Sequence, residues 1–260
     1  MIHEWISRNA ITRPERSLTG SLLRHLKGFL EMDEMLSGFQ GIDFPEGYTL
    51  ARAKVLLKAL MREIRPPVKR LYPELVGGRP SITLDGPRVW DCFGVKPKFT
   101  DDLHLTFSLG EEDTVIAITL PNAATQRWRR LRAVLEDPIL SLKLQQALGR
   151  LRREVPELWI RVDQRHFIGQ RQIVPDAVLE FKVDTADFAA RRSRGVRPFP
   201  TWFKAAQEAV LRRHGVNLQF MVRAQFASDQ VREMRTARFA DIALQTLRSF
   251  RPLYDLLRGK

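Results

Sequence analysis

The hydrophobic positions of this chain change period along its length, from helical to alternating and back again. From Ser21 to Phe39, the residues Leu22, Leu26, Phe29, Leu30 and Met35 recur near a 3.6-residue period, which predicts a helix stopped by Gly38 and Gly41. A second helix is predicted from about Thr49 to Ile64. Leu50, Ala53, Leu57, Leu60 and Ile64 line one side of it, and Pro66-Pro67 is expected to end it. Residues 65–80 then read as a Pro/Gly connector.

From Ser81 the period becomes two. Ile82–Leu84, Val89–Val95, Leu103–Leu109 and Thr114–Leu120 predict strands, the last two as a hairpin turning over Gly110–Asp113. Beyond Pro121-Asn122 a helix is predicted with Trp128, Leu131, Val134 and Leu135 inside and Arg127, Arg129, Arg130 and Arg132 outside. Asp137-Pro138 opens another, carrying Leu140, Leu144, Leu148 and Leu151. Leu158–Phe167 and Ile173–Val183 predict a second hairpin, followed by a helix (Thr201–His214) and a strand (Asn217–Phe226). A long closing helix is predicted over Asp229–Leu257, with Met234, Phe239, Ile242, Leu247 and Phe250 buried. The succession predicts an α+β or mixed α/β fold: a helical N-terminal region over 1–65, then a sheet-and-helix domain over 81–260. One or two mixed β-sheets flanked by helices are expected in it, with a subdivision near 121–138 left open.

Composition removes several function classes. At 260 residues and 44% hydrophobic content the chain can bury a core without staples, and the single Cys92 has no disulfide partner. A reduced, globular, cytoplasmic protein is the expectation. No apolar run approaches membrane-spanning length and the opening residues lack a signal-peptide core, so no membrane is expected. The sequence has no GxGxxG, P-loop or G-x-S-x-G, and its five histidines lack the i, i+4 spacing of a helical metal site.

Charge redirects attention to partners. The formal charge is +13, and 33 of the 43 cations are arginine, whose planar fork suits bidentate phosphate recognition. Residues 73–125 sum to −4 and residues 191–260 to +10. Arg191, Arg192, Arg194 and Arg197 precede Trp202, and Arg232, Arg235 and Arg238 share a third of the closing helix's circumference. Cations interleaved with aromatics suit a polyanion, so these eight residues are the expected nucleic-acid contacts. The alternative is a non-enzymatic subunit or adaptor whose basic C-terminal third meets an acidic protein.

Candidate chemistry lies in Val174–Asp184. On a strand, Glu180, Lys182 and Asp184 project to one side and Leu179, Phe181 and Val183 to the other. A Glu-x-Lys pair on one face can hold a divalent metal through the carboxylate and orient a water through the ammonium. A second carboxylate completes such a site, and Asp163 or Asp176 is the candidate.

Over about residues 139–226 the chain resembles the PD-(D/E)xK nuclease superfamily. A helix precedes the Asp163 strand and the Glu180-Phe181-Lys182 strand, followed by a basic helix containing Gln207 and a strand after Gly215. The resemblance implies a Mg²⁺-dependent phosphodiester-cleaving nuclease. Asp163 or Asp176 would ligate Mg²⁺ together with Glu180, Lys182 would position the attacking water, and Glu154 would stand in for the family's helix carboxylate.

Overall fold

A computed structural model describes residues 39–44, 47–77, 88–95, 101–165, 173–183, 201–212, 217–227 and 238–259. The helix expected over Ser21–Phe39 and the strand at Ile82–Leu84 therefore lie outside the described residues, but for Phe39. The chain divides into two compact units, residues 1–37 and Gly38–Lys260, and all of the described architecture belongs to the second.

That unit begins with helix α1 (Leu50–Leu71), capped by Thr49, whose hydroxyl accepts the Arg52 N–H at 3.2 Å. The helix runs through Pro66-Pro67, where the sequence predicted its end. The carbonyls that the two prolines leave without N–H partners belong to Arg62 and Glu63, both exposed and open to water. One turn on, Val68 and Tyr72 are buried, and the Tyr72 hydroxyl donates to the Leu247 carbonyl at 2.5 Å. Burial of those two side chains offsets the cost of the prolines.

The strands are β1 (Val76–Gly77), β2 (Val89–Gly94), β3 (His104–Leu109), β4 (Asp113–Leu120), β5 (Glu157–Arg165), β6 (Ile173–Lys182) and β7 (Asn217–Ala227). They form one seven-stranded sheet in the order β1-β2-β3-β4-β7-β5-β6, and every described pairing is antiparallel. The expectation of mixed sheets is corrected here. Both predicted hairpins form, but the last strand enters between them and joins them into one sheet.

Helices α2 (Thr125–Glu136), α3 (Pro138–Glu154), α4 (Thr201–Leu211) and α5 (Arg238–Arg258) complete the unit, which is α+β with helices flanking the sheet. Along β7 every even residue from Leu218 to Phe226 is buried and every odd one half-exposed. Phe226 meets Phe239 of α5 edge to face at 6.1 Å, so α5 lies on the buried side. It packs against α1, α2 and α3, and Phe239, Leu247 and Phe250 are buried as predicted.

Candidate nucleic-acid interface

Two regions carry the charged chemistry, and cross-strand register defines the first. On the sheet face away from α5, Lys182 lies opposite Trp159, Glu180 opposite Arg161 and Asp163 opposite Val178. Trp159 is in turn opposite Arg223 of β7. Sequence reasoning therefore places Glu180 and Lys182 on one face correctly, and register adds Asp163 to that face and surrounds all three with cations.

Arg161 Nε donates to Asp163 at 2.7 Å and its Nη1 to Glu180 at 3.2 Å, while Arg223 Nη1 donates to the same Glu180 oxygen at 2.6 Å. A guanidinium thus bridges the two carboxylates where the nuclease reading requires a divalent cation. Lys182 turns from Glu180 to an ion pair with Glu157, with its ammonium 5.4 Å from the centre of the Trp159 ring. That ion pair and the Trp159 Nε1–H hold the Glu157 carboxyl below its ordinary range. Burial draws the Arg223 guanidinium down, although Glu180 beside it acts the other way. Asp163 is only 1% exposed, so neither it nor Glu180 is presented as a free ligand.

No group of three or more His, Cys, Asp or Glu side chains among the described residues is placed to hold a metal ion. Asp176 belongs to β6, but its side chain lies outside the description. At the far end of the same face Arg88 pairs with Asp113 and its Nε donates to Ser108 at 3.1 Å. Gly110 makes room for it, since a Cβ there would lie 2.7 Å from Arg88 Nη1. Cys92 is buried and its thiol pushed up to about 12, which leaves no thiolate nucleophile.

The second region is helical. Helices α1, α2, α3 and α5 carry 19 Lys and Arg against 5 Asp and Glu, whereas the seven strands carry 4 against 6. Part of that excess is structural. Arg127 of α2 reaches Asp102 at 2.9 Å and the Arg258 carbonyl at 3.0 Å, and Arg130 Nε donates to the Leu256 carbonyl at 3.1 Å. Two arginines of one helix thereby satisfy carbonyls at the C-terminus of another. Burial alone would raise the Asp102 carboxyl, but hydrogen bonds from Arg127 and the Leu103 N–H outweigh it and leave the group lowered.

The remainder faces water. Arg129 on α2, Lys143, Arg150 and Arg153 on α3, and Arg248 on α5 are exposed and have no ion-pair partner among the described residues. Lys143, Ala147 and Arg150 stand at i, i+4 and i+7, about 100° round the helix from the buried Leu144, Leu148 and Leu151. Where α3 meets α2 and α5, Lys143, Arg150 and Arg130 line a cleft of about 310 Å³. Sequence reading did not single out Lys143 or Arg150, although their seven-residue spacing on the polar side of an amphipathic helix was the available signal.

Of the eight expected nucleic-acid contacts, Arg191, Arg192, Arg194, Arg197, Arg232 and Arg235 lie outside the described residues. Arg238 is exposed at the start of α5. Trp202 is 8% exposed and packs edge to face on Phe203 at 5.7 Å, a core position from which no ring face is offered to a base. Apolar residues that open a helix over a sheet serve as anchors, and Trp202 does so at the start of α4. No helix among the described residues is long and apolar enough to cross a membrane. No protein-family model matches the chain, and a search of curated proteins finds no match to it.

Proposed function

We propose that this protein binds nucleic acid, through phosphate contacts made by the exposed cations of α2, α3 and α5. One observation carries the reading. Arg129, Lys143, Arg150, Arg153 and Arg248 project from three mutually packed helices without ion-pair partners among the described residues, while Glu157, Asp163 and Glu180 of the sheet are already occupied by arginine and lysine. Unopposed cations on a rigid surface attract a polyanion and release its counterions, so affinity falls steeply with salt.

Mg²⁺-dependent cleavage is the finer form of this reading. Glu180, Lys182 and Asp163 would supply it only after Arg161 and Arg223 release Glu180. Binding needs no such rearrangement and is the form the geometry supports best.

The experiment is anisotropy with labelled DNA and RNA across a salt series. Changing Lys143, Arg150 and Arg153 together to Glu should weaken binding more than tenfold at low salt. It should also lower the slope of log K against log salt by roughly three. Absence of binding even at low salt would remove the reading and leave the acidic-protein adaptor. Incubation with Mg²⁺ tests cleavage: activity lost in Glu180→Ala and Lys182→Ala with binding intact supports it, and equal activity in parent and variants marks a contaminant.

A further inference from the structure

The cleft between α2, α3 and α5 differs chemically from the open helical surface around it. Lys143 and Arg150 line it from α3. Arg130 lines it from α2, and the bond from its Nε to the Leu256 carbonyl fixes that guanidinium before any ligand arrives. The one carboxylate of the lining, Asp255, accepts Arg251 Nε through Oδ2 at 2.8 Å, while its Oδ1 is buried with no hydrogen-bond partner among the described residues. Against these cations Leu140, Pro252 and Leu256 provide an apolar surface.

We propose that this cleft binds a single nucleotide unit, with the phosphate on Lys143 and Arg150 and the flat ring against Leu140, Pro252 and Leu256. The inference rests on the nucleic-acid reading for the source of its ligand, and on the cleft alone for its chemistry. A free phosphate would leave the apolar wall unused. A duplex keeps its base faces stacked and cannot offer one to a recess, whereas an unstacked nucleotide can. The volume of about 310 Å³ is at the lower end of the range for small-ligand sites, which suits one nucleotide rather than several. Single strands are therefore preferred over duplex, and the same chemistry admits a free mononucleotide.

The test titrates the intact chain with AMP and with inorganic phosphate, then with a labelled single strand and a duplex of equal length. Ala147→Trp fills the cleft while keeping its cations. The expected result is AMP binding at least tenfold tighter than phosphate, lost in Ala147→Trp together with the single-strand preference, while duplex affinity is unchanged. AMP binding no tighter than phosphate, or unaltered in Ala147→Trp, overturns the inference. Should that variant melt early, Gln146→Trp obstructs the same wall from an exposed position and is read in the same way. The two readings fail separately. Strand-indifferent nucleic-acid binding without AMP binding removes the cleft and keeps the polyanion reading. Cleft-dependent AMP binding without nucleic-acid binding does the reverse and identifies a free nucleotide as the ligand.

Discussion

Individual residues in this protein are chosen as much by what lies opposite them as by their own type. Asp91 shows it in the core. It is 4% exposed and level with Phe107 and Ile116 on the buried side of the sheet, and it accepts the Cys92 N–H at 2.7 Å. Burial pushes its carboxyl up to about 6, and the Cys92 N–H and the cations Arg65 and Lys58 of α1 only partly offset that. A carboxyl raised above its unfolded value stabilises the fold while protonated, and that contribution is lost as pH rises from about 4 through 6. It amounts to about 3 kcal/mol. Asp91→Asn should therefore be more stable than the parent at pH 7 and lose its advantage by pH 4. Urea unfolding at the two pH values measures this, and equal stability at pH 7 would count against a buried charge.

At the scale of elements, boundaries follow from caps and from what the last turn buries. Asp137 ends α2 and caps α3, its Oδ1 accepting the N–H groups of Ile139 and Leu140 at 2.8 Å each, with Pro138 at the first helical position. Ser141 Oγ then donates to the Val134 and Leu135 carbonyls at 2.9 Å, which ties the end of one helix to the start of the next. Asp137→Ala should cost about 1 kcal/mol, read as a lower denaturation midpoint with an unchanged urea dependence. Pro66-Pro67 carries the opposite lesson. Its local signal to stop is genuine, but buried Val68 and Tyr72 beyond it outweigh that signal. Pro175 in β6 fits its surroundings, because β6 stands at the end of the strand order and the β5–β6 register shifts between Asp163 and Arg165, beside Pro175.

For the whole molecule the controlling quantity is where the charge of +13 resides. The strands are near balance and the helices carry the surplus, so the basic surface belongs to the helical layer and not only to the C-terminal third. Like charges on one layer repel one another and destabilise the compact state. Raising NaCl from about 0.02 M to 0.2 M shortens the Debye length to below about 10 Å and should raise the melting temperature. A short single-stranded oligonucleotide at the lower salt should raise it further. Scanning calorimetry measures both, and a melting temperature that falls with salt would mean that attractive pairs, not the surplus, dominate.

The periodicities are legible in the amino-acid order alone. The buried stripe Trp128, Leu131, Val134 and Leu135 and the alternation of Leu158, Ile160 and Val162 follow from burial on one side of an element, which is a local property. The same order also puts Glu180 and Lys182 on one sheet face, because the side-chain period of a strand is two. What stands beside them depends on strand pairing across the whole sheet. Arg223 reaches Glu180 because β7, the last strand, inserts between β4 and β5, and Arg161 joins Asp163 to Glu180 through the β5–β6 register. The cleft is likewise tertiary, since Arg130, Lys143 and Pro252 come from three helices. Pairing partners and helix packing depend on the summed burial of the whole fold, and no window of sequence contains that sum.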